Sequence, residues 1–572
     1  MDSHTTSTRA RVPKLVGSDV ELGNMILGRE SRDGTGAAAS RMLLRQVDGF
    51  SGSSGHVVPY HGDYRSGGQP MYGYPAAERP DVGAYGWGPP RSSWVYRGLY
   101  GGADPQDWGR KYLSSNGGCV YIDLDHLELC TPEVLSARDH LAASRAMLLI
   151  AREAMLAANE QLPRGQRLVV LLNNSDGKSN AYGSHLSFLI TRGEWHRLFE
   201  LLYPDLFLLA AFQASSIVVT GAGKVGAENG HDPVAYQISQ RADFIETLTG
   251  PQTTWRRPLV NTRDEPLCGF HRHGADVDSL DHQVARLHCI FYDNTLCHVS
   301  SFLKVGMMQV LLAMLEAGHR DPSLILEDPV TALHTWSHDP DLLARAPLGN
   351  GTAVTAVELQ RAFLERAKAF VRSGADLEDV PDAALIIELW EDTIAKLEAR
   401  SFNALRPRLD WILKRSLLER ALRDRRDLDW SSPETKHLDL LYSSLDDADG
   451  LYWACERSGA VERIVTDGEI ERFIHQPPEN TRAWTRAMLL RRTGRPGVDH
   501  TDWDEIKVVV GRNRWGWPST RTVTLADPLG STKADSEPDF SRADSLSDLL
   551  DSLDGARDGG SDERARTPSH ES

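Results

Sequence analysis

Residues 119–134 read Cys-Val-Tyr-Ile-Asp-Leu-Asp-His-Leu-Glu-Leu-Cys-Thr-Pro-Glu-Val. The run opens on β-type residues and passes into the acid-rich string Asp123-Leu-Asp125-His126-Leu-Glu128. Side chains alternate along a strand, so Tyr121, Asp123 and Asp125 share a face. Carboxylates placed this way can orient water or a nucleophile while their neighbours hold a divalent ion through hard oxygen ligands. By composition the string also fits a solvated strand end. Upstream, residues 15–22 (Leu-Val-Gly-Ser-Asp-Val-Glu-Leu) begin like a second strand, on which Asp19 and Glu21, two apart, also point to one face. Same-face carboxylates on two strands make a magnesium site a serious rival to the solvated end.

Outward from this pair of strands the chain changes character several times. From about residue 33 to 118 Gly, Ser, Pro and Tyr dominate, as in GFSGSSGH and YGWGPPRSS, with no periodic apolar face. That composition predicts a long mobile loop, and its aromatics (Tyr60, Tyr64, Tyr72, Tyr74, Trp87, Trp94) equally suit a segment that folds over a site. Residues 135–160 carry apolar pairs every two turns and predict an amphipathic helix; 167–173 predicts a buried strand, and 185–190 a further apolar segment. Residues 300–425 read as mostly helical. From Pro528 onward small, acidic and hydroxyl residues predict disorder, except that Leu546, Leu549, Leu550 and Leu553 fall on one face of a short acidic helix. Helices that short are marginal in isolation. We therefore expect a fluctuating segment that docks in a groove of its own chain and lowers basal activity.

The chain has 572 residues and a net charge of −17, with 41% apolar and 25% charged residues. This is a globular composition long enough for several domains. Its acidity argues against a nucleic-acid partner, which would require a basic footprint. No stretch approaches about 18 uninterrupted apolar residues, and the N-terminus lacks a signal-type apolar region, so the expectation is a cytoplasmic protein without membrane attachment. Six cysteines are scattered without a CxxC and read as reduced core thiols.

Two further patterns carry opposite weight. Residues 221–226 (Gly-Ala-Gly-Lys-Val-Gly) follow the strand-like run 217–220 and match a dinucleotide fingerprint, with Asp243 roughly where a ribose-binding acid would fall. Gly230 and Pro233 interrupt the helix that would have to hold the pyrophosphate, so the glycines read as a loop. In Ser-Gln-Arg241-Ala-Asp243 and Asn-Thr-Arg263-Asp264-Glu-Pro, arginine sits beside carboxylate. Each motif suits phosphate or carboxylate capture, or a structural ion pair.

Taken in order, these motifs resemble one family. VGSDVELG resembles the opening strand of the Pup ligase and Pup deamidase/depupylase family, and 121–134 resembles its catalytic strand and continuation. NNSDGKSNAYGSHLSFL, SQRAD, NTRDEP, FLKVG, DLDW, HLDLLYSSLDDADGLY and PPENTRAW follow in the family's order over residues 14–515. The resemblance implies an α+β, glutamine synthetase-like fold: a curved antiparallel sheet with packed helices (14–430, with the insertion at about 32–118), a smaller C-terminal domain (431–527), and disordered ends (1–13 and 528–572). It implies ATP and magnesium as cofactors, with Pup or a Pup-like protein and its lysine-conjugated targets as partners. Asp123 would be the catalytic carboxylate; Asp19, Glu21, Tyr121 and Glu128 would take the metal positions; Thr131, Trp503 and Arg241 would contact the nucleotide.

The long insertion before Asp123 resembles the deamidase branch, which hydrolyses a terminal glutamine amide or a lysine isopeptide. The alternatives are a carboxylate–amine ligase and a non-catalytic homologue. Departures from the family pattern bear on all three. Asp19 replaces a Glu, Cys119 replaces an Arg expected at the ATP phosphates, Leu186 and Ser187 replace Glu and Asn, and Leu267 precedes an inserted segment with His271, His273 and Asp276.

Overall fold

The computed structural model describes residues 11–29, 35–51, 108–177, 180–201, 204–264, 267, 283–373, 379–495 and 497–559. The six loop aromatics named above and the inserted His271, His273 and Asp276 lie outside the described residues. The fold is α+β. Its centre is an eight-stranded sheet in which every pairing is antiparallel. The strands are β1 (Val16–Leu27), β2 (Phe50–Ser51), β3 (Trp108–Tyr112), β4 (Cys119–Asp123), β5 (His126–Cys130), β6 (Arg167–Leu171), β7 (Ser184–Thr191) and β8 (Val284–Cys289). They run in the order β8-β7-β1-β5-β4-β3-β2, with β6 alongside the second half of β1.

Alternation sorts the side chains of this sheet into two faces. Leu22 and Ile26 of β1, Val120 and Ile122 of β4, and Leu127 and Leu129 of β5 point to one side and are buried. They pack there with Leu43 of helix α1 (Thr35–Gln46) and with Met147, Leu148, Ala151 and Met155 of α2 (Ala137–Glu160). Further along, Leu186, Phe188, Ala285 and Leu287 join a second cluster with α3 (Pro204–Thr220) and α4 (His298–Glu316). Helix α4 is long and apolar enough to cross a membrane by composition, but it is 94% buried within the protein. The odd-numbered positions of β1, β4 and β7 and the even-numbered ones of β5 and β8 face the other way, and they are largely polar.

Several expectations are corrected here. Residues 217–220 are the last turn of α3, not a strand; Ile217, Val218 and Val219 are buried in the core, where packing overrides β propensity. No phosphate-binding helix follows Gly221–Gly226, and Asp243 accepts hydrogen bonds from Lys224 and His338 instead. The expected loop at 32–118 contains α1, β2 and β3. Helices between 433 and 475 belong to the main body, since Tyr442, Tyr452 and Trp453 pack in the α2 cluster, so the smaller C-terminal unit begins after them. That unit consists of α5 (Ala483–Thr493) and a three-stranded sheet, β9 (Val498–Thr501), β10 (Glu505–Arg512) and β11 (Pro518–Thr524). The tail is not disordered over 533–559: it forms α6 (Lys533–Arg542) and α7 (Leu546–Gly559), with Leu549, Leu550 and Leu553 buried. A leucine stripe that is marginal alone is stable once a partner surface covers it.

The C-terminal unit is clamped to the main sheet through Glu133, which accepts from Arg482 Nε at 2.7 Å and pairs with Arg486 Nη2 at 2.5 Å. Burial alone would raise this carboxyl, but the two guanidiniums outweigh it and hold it at about 2. A carboxyl depressed in the folded state stabilises fully above its unfolded value of about 4.5 and loses that contribution as pH falls towards 2. Wild-type stability should therefore drop by on the order of 3 kcal/mol across this window from Glu133 alone. Glu133→Gln should melt lower at neutral pH and show a shallower decline. Thermal melts of both proteins from pH 6 to 2 test this, and parallel curves would remove Glu133 from the acid response.

Candidate active site

The polar face of the main sheet is organised in rows across neighbouring strands. Glu21 of β1 is in register with Glu128 of β5, and Glu128 with Tyr121 of β4. In the adjacent row His185 of β7 faces Asp19, and Asp19 faces Cys130. Directly opposed side chains in a sheet lie about 5 Å apart at Cβ, so these two rows place Glu21 and Asp19 near Glu128, and Asp123, two residues beyond Tyr121 on β4, joins them. Oxygens of Glu21, Asp123 and Glu128 all lie within 4.8 Å of one another, as do ligand atoms of Asp19, Glu128 and His185.

Asp123 is half-buried at the end of β4, followed by a tight turn in which Leu124 has φ +50°. A positive φ is costly for a bulky side chain, and such strain concentrates where a functional group must be held in place. Glu128 carries the electrostatic cost of the cluster. Burial first, then Asp123, Asp19 and Glu21, raise its carboxyl well above the usual range. Its Oε2 has no hydrogen-bond partner among the described residues. Tyr121 donates to Glu128 and is itself held protonated by burial and by that carboxylate, so it serves the cluster as a neutral donor. For Glu21, burial is outweighed by His185, His126, the Gly183 N–H and Arg241, which keep it below its ordinary value. Burial lowers His185 to about 4, leaving a neutral imidazole able to ligate. A Cβ at position 183 would come within 2.3 Å of that ring, so this approach requires glycine.

Cationic side chains stand beside the acids. Arg241 is buried, donates to the Tyr182 carbonyl, and has an Nε without a partner among the described residues. Burial, then Arg257, lower it to about 10, so it remains a cation at neutral pH. On β8, Arg286 donates to Ser187 Oγ at 3.2 Å and neighbours His288. These two were not singled out from the sequence, although two polar residues with period two in the apolar strand Val-Ala-Arg-Leu-His-Cys are a readable signal. Arg110 of β3 was also missed; its guanidinium lies 4.5 Å over the Tyr121 ring. It brings a positive charge to the edge of the face where Cys119 removes one.

Two expectations about individual residues change. Thr131 points to the helix side of the sheet, away from the acids. It is buried, its Oγ1 accepts from the Ser18 N–H at 2.9 Å, and it lines a cavity of about 50 Å³ with His140 and Lys304, too small for a nucleotide. Leu186 also faces the core, so its exchange for a Glu removes no acid from the polar face, whereas Ser187 lies on that face. Trp503 is half-buried in the loop after β9, with its edge against Tyr112 (centroids 5.5 Å apart) and Arg486 over its ring at 4.8 Å.

The sequence profile of the Pup-ligase protein family matches residues 56–507. The chain belongs to the Pup ligase family. It is 33% identical over 449 residues to the depupylase of Acidothermus cellulolyticus, covering 78% of this chain and 84% of that one. It is 35% identical over 412 residues to the Pup–protein ligase of Pseudarthrobacter chlorophenolicus, covering 70% and 85%. Among solved structures, the Pup ligase PafA in complex with ADP superposes with a TM-score of 0.65 at 25% identity, over 88% of this chain and 100% of that one. The complex of Pup with its ligase PafA gives 0.70 at 24% identity, over 99% of each chain. The fold is thus the α+β, glutamine synthetase-like fold of PafA, and the acidic face lies on its central sheet.

Proposed function

We propose that this chain is an ATP- and magnesium-dependent amidohydrolase that acts in the cytoplasm on the C-terminal glutamine of Pup, or on the isopeptide joining Pup to a lysine. The observation that carries the site assignment is the buried cluster centred on Glu128, whose orphaned oxygen beside the carboxylates of Asp19, Glu21 and Asp123 suits a bound cation. The branch assignment rests on the long insertion between β1 and β4. Of its described parts, β3 pairs with β4, the strand that carries Asp123, while α1 packs on the opposite, apolar side of the sheet.

The donor set fits the expected cofactors. Glu21, Glu128 and Asp19, with His185 beside them, would hold magnesium; Arg241, Arg286 and Arg110 offer guanidiniums to phosphate; and Trp503 offers a ring to adenine. Magnesium, when bound, would screen the carboxylates from the nucleotide phosphates and favour the negative charge developing on the substrate carbonyl oxygen. The remaining steps belong to the chain. Asp123, at the open end of β4, takes the proton of an attacking water or attacks the carbonyl itself. Amide plus water gives carboxylate and ammonium, without net consumption of ATP. Tyr121 keeps its proton and fixes Glu128.

A second reading, ligation of a Pup glutamate to a lysine, is supported by the similar identity to proteins named as ligases. The two separate in one experiment: Pup ending in Gln and Pup ending in Glu are each incubated with the protein, ATP, magnesium and a lysine-bearing acceptor. Conversion of amide to acid with ammonia release and no ADP build-up is expected. ADP formed in step with conjugate would establish the ligase instead. Neither product would leave a binding homologue. The nucleotide assignment has its own test. Calorimetric ADP titration should show about 5- to 150-fold weaker binding for Trp503→Ala, from a stacking contribution of about 1–3 kcal/mol, and about tenfold weaker binding for Arg110→Ala. Unchanged affinities would place the nucleotide elsewhere.

A further inference from the structure

A second convergence of metal-ligating groups lies outside the main sheet. Ligand atoms of His231, Asp243 and His338 all lie within 4.8 Å of one another, and none of the three residues belongs to the groups on the acidic face. His231 stands in the loop of a short antiparallel hairpin whose strands are Lys224–Val225 and Tyr236–Gln237. Asn229 and Gly230 have φ of +54° and +79°, and the His231 N–H donates to the Glu228 carbonyl at 3.2 Å. Two successive positive φ values closed by such a bond make the turn that Asn-Gly adopts most readily. The turn is fastened to Asp243: the Glu228 N–H donates to its Oδ2 at 2.8 Å and Asn229 Nδ2 to its backbone carbonyl at 2.9 Å. His231 therefore leaves the turn at a fixed place.

The opposite wall is the helix Pro329–Ser337, on which His334 and the capping residue His338 are four apart and share a face. His334 Nε2 donates to the Ile245 carbonyl at 2.9 Å, and His338 Nε2 donates to Asp243 Oδ1 at 2.8 Å. The His231 ring lies roughly perpendicular to both, with centroids 4.5 Å from His334 and 5.6 Å from His338. Asp243 has the setting of a held ligand. Its Oδ2 takes Lys224 Nζ at 3.3 Å and Gln237 Nε2 at 2.8 Å besides the Glu228 N–H, which fixes the carboxylate with Oδ1 turned to the histidines. Outer-shell bonds of this kind orient metal-binding carboxylates. Burial alone would raise this carboxyl, but His338, Lys224, Gln237 and the Glu228 N–H outweigh it and keep it ionised. The Asp243 side chain is fully buried while that of His338 is 19% exposed, so an ion can enter from solvent.

We propose that His231, His338 and Asp243 form a second metal site, for a zinc-type divalent ion. Two imidazoles and a carboxylate suit zinc, whereas magnesium takes hard oxygen ligands. Ligands at about 2.0–2.1 Å around a tetrahedral ion stand about 3.3 Å apart, so His338 and Asp243 open by about half an ångström and His231 closes in. The ion takes the place of the proton between His338 Nε2 and Asp243 Oδ1, which passes to solvent, and water fills the fourth position. The bound ion ties the hairpin loop and the helix to one carboxylate, two residues from Arg241. This goes beyond the proposed function and does not depend on the direction of the chemistry.

Cobalt(II), whose visible bands are intense in low-coordinate imidazole sites and faint among six oxygens, is titrated into the untagged full chain in excess magnesium. Wild type and Glu128→Gln should both develop intense bands that saturate at one ion per chain and vanish when zinc is added. His231→Ala and His338→Gln should bind cobalt at least tenfold more weakly, and zinc should raise the melting temperature of wild type but of neither variant. His338 also holds Asp243, so if His338→Gln melts early the loop variant His231→Ala decides. Absence of the bands in wild type, or their survival in His231→Ala, overturns the proposal. Their loss in Glu128→Gln places the ion on the acidic face and overturns it as well.

Discussion

Asp123→Asn is expected to abolish turnover while leaving the protein folded. The amide keeps the shape of the carboxylate but accepts protons poorly and is a poor nucleophile, so either role proposed for Asp123 is lost. Asp123 is only half-buried at a strand end, and its removal relieves repulsion at Glu128, so the melting temperature should hold or rise. A fall of a thousandfold or more corresponds to about 4 kcal/mol of barrier. Initial rates of amide release and a thermal melt on the same preparation check both parts. Activity within about threefold of wild type, less than roughly 1 kcal/mol, would exclude Asp123 from the chemistry.

Glu128→Gln should have the second largest effect, in two opposite directions. Without metal, the wild-type protein buries this carboxyl among Asp123, Asp19 and Glu21, and its raised pKa records the strain. A neutral amide of the same size removes that repulsion, so the metal-free variant should be more stable than the wild type. With magnesium and nucleotide present the order should reverse, because the variant lacks the shared central ligand and gains nothing from binding. Melts with and without magnesium-ADP measure both. A variant less stable in both conditions would identify Glu128 as an ordinary packed polar residue.

How far the sequence discloses this site depends on the range of the interaction involved. Same-face acids on β1 and β4 are legible because strand alternation is local: Asp19 with Glu21, and Tyr121 with Asp123, each follow from a spacing of two. That Glu21, Glu128 and Tyr121 form one row is a matter of strand order and register, which no local pattern encodes. Thr131 shows the reverse failure. Its place in a motif suggests a nucleotide contact, yet one step of alternation past Cys130 turns it to the helix side, where Ser18 takes its hydroxyl. Arg110 sits in glycine-rich sequence without periodicity, and only the pairing of β3 with β4 brings it over Tyr121. The tail was misread because its disorder-like composition is correct for an isolated chain, and the surface that orders it comes from strands at 505–524.

The measurement that bears most directly on the account is a count of bound divalent ions. Manganese, as a spectroscopic stand-in for magnesium, is titrated into the protein with and without ADP and followed by electron paramagnetic resonance. The account predicts a tight site that fills when nucleotide is present, disappears in Glu128→Gln and persists in Thr131→Val. Manganese binding that ignores nucleotide, or that survives Glu128→Gln unchanged, would contradict the assignment of the acidic face as the cofactor site.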